Sequence, residues 1–495
     1  MTPDLSSTWP HAVPGRRRHL AAGLMLVLCQ TCWLPTSLAQ PTTPVPPMPP
    51  APAASVNHNG YGEHQARWLL DSLKPDPAQR AAASATELRA RLRHSLDHHP
   101  DLRAASASLD GARAATRETQ AGALPQLSLD AETGRRGTAV STLQGTPYRN
   151  WQTASVGLAL RQSLYDAGSL DAQVAASTAF ADGVAHRNES RRADLALRAV
   201  QANLDVARTR RLLELARTNV QAREEMVRFL EQRHTLGGGS IGDVLRARSR
   251  LSEAQGALAQ ALAREQASAA SYAELLLEAA PAHIDFTLPP PQDLVALMRQ
   301  PALAVENFAV LRSARAAVST AEREREAVRL RERPRVELEL GVQRRDMVGH
   351  QRAGTDWQAG IVLRHQFYSG GADDARATQA IARLNEATEQ LHNTRLQLER
   401  SLRQTAAEDA VADDLLQSRR QGVLLAVDAL RGVREQFAYR RGTLLDLLTA
   451  QDSVQNAGQA WVDAEHNRAL VRWRLAYFTA ELLPWVQGSA AGPTR

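Results

Sequence analysis

Three histidines are the residues in this sequence that most resemble metal ligands. His94 and His98 have the i, i+4 spacing that places two imidazoles on one face of a helix, and His99 follows directly. A zinc site needs further ligands, and no suitable residue follows nearby. We therefore interpret the three histidines as part of a solvated helix face.

The sequence lacks two motifs that are typical of common enzyme classes. The chain contains no P-loop and no His-Glu-x-x-His pair. We predict that the protein is not an enzyme and needs neither a cofactor nor a resident metal.

Composition favours long helices over a large globular core. The 495 residues are 43% hydrophobic but only 4% aromatic, although aromatic side chains usually supply the largest buried areas of a core. The 59 basic residues, of which only Lys74 is a lysine, are interleaved with 53 acidic ones. Because no basic cluster is accompanied by stacking aromatics, nucleic acid is not an expected partner.

The pattern of the first 56 residues predicts an export signal followed by a spacer. Residues 16–18 are arginines, an apolar run extends from Leu20 to about Leu34, and small residues precede Gln40. This order predicts a signal peptide over 1–39, and the run is short for the alternative, a membrane anchor. Both cysteines, Cys29 and Cys32, lie inside it. Residues 40–56 form a proline-rich linker.

An internal duplication organises the rest of the chain. Residues 164–168, Leu-Tyr-Asp-Ala-Gly, correspond to residues 367–371, Phe-Tyr-Ser-Gly-Gly, at an offset of 203 positions. The same offset relates Gly239 to Gly442 and Pro281 to Pro484. Two repeats of one architecture are therefore expected.

Each repeat predicts one β-hairpin and one long helical hairpin. Polar and apolar residues alternate after Pro125 and after Pro334, which is typical of strands with one apolar face. The long stretch from Ser169 to about Leu236 has no proline and a helical apolar spacing, so at 1.5 Å per residue it would reach about 100 Å. We predict that such helices pack side by side in an antiparallel arrangement.

Four strands are too few to close a barrel in a membrane. No later stretch of 18 apolar residues offers a helical span, known barrels begin at about eight strands, and open edges in lipid leave backbone groups unpaired. Three copies would supply twelve strands. Aromatic residues near the strand ends suit a membrane belt, although they could also cap an ordinary sheet core. The belt residues are Tyr148, Trp151, Tyr165, Trp357, Phe367 and Tyr368.

Charged residues on the other face of the strands form a candidate lumen lining of mixed sign. This set comprises Asp130, Glu132, Arg161, Glu337, Glu339 and Arg364. Because both signs occur, the set indicates no substrate preference.

The duplicated strand ends and the hairpin turns at residues 241–245 and 444–448 resemble the TolC family of outer-membrane export ducts. The likeness covers roughly residues 101–484. It implies a mixed α/β membrane protein: a homotrimer with a twelve-stranded β-barrel in the outer membrane and a long α-helical barrel across the periplasm. It also implies a periplasmic adaptor and an inner-membrane pump as partners, with outer-membrane lipid around the barrel.

Within that resemblance, the turns would lie at the periplasmic tip where the adaptor docks. The residues at this tip are Gly237, Gly239, Ile241, Asp243, Gly442, Leu444 and Asp446. The segment 237–243 is most similar to members that serve type I protein secretion with an ABC transporter. A drug or metal-ion efflux duct with a proton-driven pump remains the alternative, and a periplasmic coiled-coil scaffold is a more distant one.

The resemblance also suggests a gate. Asp446 falls on a family position whose carboxylates ring the closed entrance, and Arg440 or Arg441 could brace it. Two departures weaken this carry-over, since Thr449 replaces a second carboxylate and Arg440 replaces a glycine. Asp446, like Asp243, could equally be a helix N-terminal carboxylate that faces the helix dipole.

These observations predict the following organisation. After the signal peptide and linker come a partly helical lead-in (57–99), repeat 1 (100–290), repeat 2 (291–485) and a flexible tail (486–495). The β-hairpins are expected at 125–165 and 334–368, and the helical hairpins at 169–281 and 372–484.

Overall fold

The computed structural model describes residues 62–74, 78–139, 148–289, 305–345, 354–439 and 441–488. The predicted signal peptide and linker, together with most of the predicted tail, lie outside these residues. The helices are α1 (Glu63–Ser72), α2 (Ala78–His98), α3 (Pro100–Ala121), α4 (Ser169–Thr235), α5 (Ile241–Leu276), α6 (Ala309–Arg331), α7 (Ala372–Ala438), α8 (Leu444–Phe478) and α9 (Leu482–Gln487). The strands are β1 (Gln126–Ala139), β2 (Tyr148–Tyr165), β3 (Arg335–Arg345) and β4 (Gly354–Arg364).

The two repeats have matching long helices. Helices α4 and α7 each contain 67 residues, and both their first and last residues are related by the offset of 203. Each follows a glycine with a positive φ, Gly168 at 81° and Gly371 at 86°, a conformation that glycine adopts without strain. At 1.5 Å per residue each helix is about 100 Å long. The predicted long helices and internal repeat are confirmed.

All four strands join into one antiparallel sheet in the order β1-β2-β3-β4. The central pair, β2 and β3, connects the two repeats, and its register shifts at a bulge between Ser163 and Tyr165. Strands β1 and β4 are the edges of the sheet within one chain. The predicted four strands per chain are also confirmed.

The register sorts the side chains of the sheet into two faces. Leu129 is paired with Leu158, Leu158 with Val342, and Val342 with Trp357, so one row of four strands is wholly apolar. We call this surface the apolar face. Its most exposed members are Leu127, Leu129, Trp357, Ile361 and Leu363. In water such a continuous apolar surface would be unfavourable, which indicates a non-aqueous neighbour.

Helix packing is concentrated in three large buried clusters, with a small fourth one around Val184. One lies towards the helix turns and includes Leu69, Leu215 and Trp461. A second surrounds Trp473 and Tyr272, and a third surrounds Phe308 and Leu402. Among the described helices, none has both the length and the apolar character needed to cross a bilayer.

Candidate functional site

The face of the sheet opposite the apolar face carries a compact group of charges. Arg364 Nη2 lies 2.7 Å from Glu339 Oε1, and the same guanidinium also contacts Glu337. Arg161 Nε lies 3.7 Å from Glu339 Oε1 and 4.0 Å from Glu337 Oε2. Two arginines from β2 and β4 thus enclose two glutamates from β3. The structure brings together these four members of the predicted lumen lining.

The remaining members lie further along the same face. Asp130 and Glu132 alternate with the apolar residues of β1, and Asp130 Oδ2 accepts a hydrogen bond from the Ser128 hydroxyl at 3.4 Å. Arg345 Nε donates to Asp356 Oδ2 at 2.5 Å on the neighbouring pair of strands. The polar face therefore carries charges of both signs along its described length, as expected for a surface in contact with water.

The strand register does not place all residues of the predicted aromatic belt on the same face of the sheet. Trp357 occupies the apolar face and is 79% exposed, and Tyr165, Phe367 and Tyr368 are exposed near the strand ends. Tyr148 is paired with Ala139, a register position of the apolar face. Trp151 is paired with Arg136 and so takes a register position of the polar face.

Both helix turns are built around a glycine that approaches the preceding helix. A Cβ on Gly239 would lie 3.3 Å from the backbone nitrogen of His234, and one on Gly442 would lie 3.3 Å from that of Phe437. The two turns share a hydrogen bond, from Gly238 N–H to Arg233 O at 2.9 Å and from Arg441 N–H to Gln436 O at 2.8 Å. Gly237 has a φ of 73°, which completes the first turn. The repeat therefore extends to the turns.

Apolar side chains are exposed around the turns. They are Leu236, Ile241, Leu245, Tyr439 and Leu445. Leu444 occupies the repeat position of Ile241 but is only 6% exposed and belongs to the buried cluster. Of the residues predicted at the docking tip, Ile241 is therefore accessible in this chain whereas Leu444 is not.

Asp446 forms a capping box with Thr443 at the start of α8. The Thr443 hydroxyl and backbone N–H donate to Asp446 Oδ2 at 2.7 and 3.1 Å, and the Asp446 N–H donates back to Thr443 Oγ1 at 3.2 Å. These hydrogen bonds, that of the hydroxyl first, lower the pKa of the Asp446 carboxyl. The geometry is that of the alternative interpretation, a helix N-terminal carboxylate.

The first turn has a simpler cap. Ser240 Oγ accepts a hydrogen bond from Gly242 N–H at 3.1 Å, and Asp243 lies in the first turn of α5. Residues 238–242 also match the spacing Gly-x-Ser-x-Gly of a nucleophile elbow. That motif requires a strand before the serine, whereas here a helix precedes it. Ser240 is therefore a cap.

Arg440, which was predicted to brace the gate at the second turn, lies outside the described residues.

A partly buried ion pair, which sequence analysis did not identify, links the two helical hairpins. Arg223 of α4 is 3% exposed, and its Nη2 lies 2.6 Å from Asp452 Oδ1 of α8. Burial lowers the pKa of this guanidinium, while Asp452 favours its charged form. The two residues are 229 positions apart and belong to no motif, so no sequence signal connects them.

The interpretation of the three histidines as a solvated face holds for His94 and His98 but is wrong for His99, which is only 7% exposed. His99 Nδ1 accepts from Asp101 N–H at 3.2 Å and caps α3, while the rings of His94 and His98 stack with centroids 4.5 Å apart. In the part of the chain that the structure describes, no group of three or more potential metal ligands occurs.

Comparison with known proteins supports the architecture described above. The outer membrane efflux protein model matches residues 92–276 and 301–479, one segment in each repeat. Outer membrane efflux protein BepC of Brucella suis biovar 1 (strain 1330) is 26% identical over 352 residues, which cover 68% of this chain and 74% of that protein.

Two solved structures share the fold. The outer membrane protein VceC of Vibrio cholerae superposes with a TM-score of 0.68 at 20% identity and covers 80% of this chain and 96% of its own. A membrane protein from Pseudomonas aeruginosa has a TM-score of 0.69 at 20% identity, with coverages of 79% and 93%. The resemblance to TolC-type channels is thereby confirmed. The chain belongs to the outer membrane efflux protein family, whose members are outer-membrane channels that extend into the periplasm and are not enzymes.

Proposed function

We propose that this protein is the exit duct of a tripartite export system and that it acts as a homotrimer. The observation that carries the proposal is the two-faced sheet: one face is apolar and exposed, and the other is charged. Its edge strands, β1 and β4, have unpaired backbone groups within one chain, which is costly in hydrocarbon. Pairing of β1 with β4 of the next copy removes these edges, and three copies reach twelve strands.

The long helices support the same assembly. Helix α7 carries apolar side chains that are about half exposed or more in one chain, and a neighbouring copy would bury them. They are Ile381, Leu396, Val411, Leu415 and Leu425. The assembled helices would form a duct wall about 100 Å long.

The turns are the proposed contact with a periplasmic adaptor. Exposed apolar residues at both turns, such as Leu236 and Tyr439, offer the small hydrophobic contacts that a partner helix hairpin would cover. Through the adaptor the duct would connect to an inner-membrane ABC transporter.

The proposed cargo is a secreted protein, as in type I secretion. The support is a sequence resemblance: the glycine-rich first turn, residues 237–243, looks like that of members of this kind. A second candidate is small-molecule efflux with a proton-driven pump, and it is favoured by the relative BepC, which is described as an efflux protein.

A deletion strain distinguishes the two cargoes. Under the proposal, loss of the gene leaves the cognate surface or exoprotein inside the cell, and susceptibility to dyes and drugs stays unchanged. Quantitative immunoblotting of culture supernatant and a panel of minimal inhibitory concentrations measure both properties. A strain that still secretes its protein but becomes sensitive to dyes would reverse the assignment.

The proposed gate is a ring of three Asp446 carboxylates, which would favour cations in a narrow opening. We expect Asp446→Ala to raise the conductance of purified protein in planar bilayers and to lower its cation selectivity. Thr443→Val is the matched control, because it removes the hydroxyl of the capping box but keeps the carboxylate. If both variants change conductance equally, Asp446 acts only as a helix cap.

A further inference from the structure

The first described helix, α1, lies across both helical hairpins rather than on one. It contacts α4 of the first repeat and α7 of the second. Leu69 is fully buried, and a Cβ placed on Gly458 of α8 would lie 3.0 Å from both Leu69 Cδ2 and Leu215 Cδ2. Leu69 therefore fills the gap between α4 and α8.

Polar contacts fix α1 at its N-terminal end. Gln65 Nε2 donates to Gln455 Oε1 of α8 at 2.8 Å. Gly62 has a φ of 78°, and its backbone N–H donates to the carboxylate of Glu225 on α4. A Cβ on Gly62 would lie 3.4 Å from Gln451 Nε2, so the backbone approaches α8 closely.

These contacts follow one register. Gly62, Gln65 and Leu69 meet Gln451, Gln455 and Gly458 in turn, so α1 runs parallel to the first part of α8. Glu225 is only ten positions from the last residue of α4. Helix α1 therefore lies near the turns. Because it contacts both hairpins there, the hairpins cannot separate at this level without breaking contacts of α1.

Several buried polar atoms in the interface beneath α1 have no hydrogen-bond partner. Both side-chain polar atoms of Gln451 are buried without a partner, as are Arg223 Nη1 and Asn219 Oδ1. Buried polar groups that lack partners oppose the packing that encloses them. These unpartnered atoms weaken the packing locally, whereas the apolar contacts of Leu69 and the ion pairs between α4 and α8, such as Arg223–Asp452, favour it.

We propose that α1 is an intramolecular strap that holds α8 against α4 near the turns and must loosen when the duct opens. The inference rests on the proposed duct function. In this arrangement α1 regulates the opening of the duct. Its displacement would remove the apolar contacts of Leu69 and expose the unsatisfied polar groups to water.

Reversible cross-linking tests the strap. Gln65→Cys and Gln455→Cys are combined with Cys29→Ser and Cys32→Ser, and a mild oxidant joins the pair as a disulfide, because the buried position 65 is out of reach of a bulky cross-linker. In planar bilayers we expect cross-linking to lower the open fraction at least about tenfold and reduction to restore it. The single variant Gln65→Cys, treated in the same way, controls for the reagent.

Weakening the strap should have the opposite effect. We expect Leu69→Ala to raise the open fraction at least about tenfold, since truncation of a buried leucine removes much of its packing energy. Arg67→Ala, on the exposed side of α1, should leave it unchanged. Every variant is first checked for the oligomer mass of the unmodified protein.

The outcomes separate the two proposals. If the unmodified protein forms no channels, the duct function is wrong, and the strap with it. If the unmodified protein conducts but neither cross-linking nor Leu69→Ala changes the open fraction, the duct stands and the strap is rejected. A Leu69→Ala protein that is merely less stable and conducts normally also rejects it.

Discussion

Replacing Leu129 with arginine should prevent assembly in the outer membrane. Leu129 lies in β1 on the apolar face, is 70% exposed in one chain, and is paired with Leu158. Arginine on the lipid side of a barrel costs up to about 2–4 kcal/mol, the value at the bilayer midplane, and each of the three copies would bear such a cost. We expect the heat-modifiable oligomer to disappear from outer-membrane fractions, as measured by semi-native electrophoresis.

Ser128→Arg is the matched control. Ser128 is the neighbour of Leu129 in β1 and has the opposite orientation, on the charged face. An arginine there would face water in the lumen, so the oligomer should persist. Equal loss of the oligomer in both variants would contradict the assignment of the two faces.

Trp473→Ala should cause the largest loss of stability in the helical part. Trp473 is fully buried, its ring centroid lies 4.7 Å from that of Trp485, and its Nε1 donates to Thr287 O at 2.9 Å. Truncation of a buried tryptophan costs about 3–5 kcal/mol. We expect the thermal midpoint of helix unfolding to fall clearly, as followed by circular dichroism in detergent.

A second variant separates burial from hydrogen bonding at this position. Trp473→Phe keeps most of the apolar area but removes the N–H donor, and it leaves Thr287 O without that partner. We expect a smaller decrease than for alanine. A midpoint unchanged in Trp473→Ala would show that the cluster around Trp473 contributes little to stability.

Local patterns were sufficient to predict the elements of this fold. Alternation after Pro125 and Pro334 predicted strands, and the structure places them at 126–139 and 335–345. The offset of 203 held because α4 and α7 have equal length, and glycines at equivalent positions close both turns. Such features depend on residues near one another in the chain, which a single sequence displays directly.

Features that depend on distant contacts were not predictable in this way. Ile241 and Leu444 are equivalent in the repeat, yet only Leu444 is buried. The apolar spacing of Leu69 and Leu73 indicates a helix in the lead-in but not where it docks. The partners Arg223 and Asp452 meet only because α4 and α8 pack together. Tertiary packing decides each of these cases, and no local spacing encodes it.

The central claim is that copies of this chain close a common sheet, and the mass of the detergent-extracted particle tests it most directly. Size-exclusion chromatography with light scattering, corrected for bound detergent, should give three times the mass of the processed chain. A stable particle containing a single chain would contradict the account, because β1 and β4 would then remain open edges in the membrane.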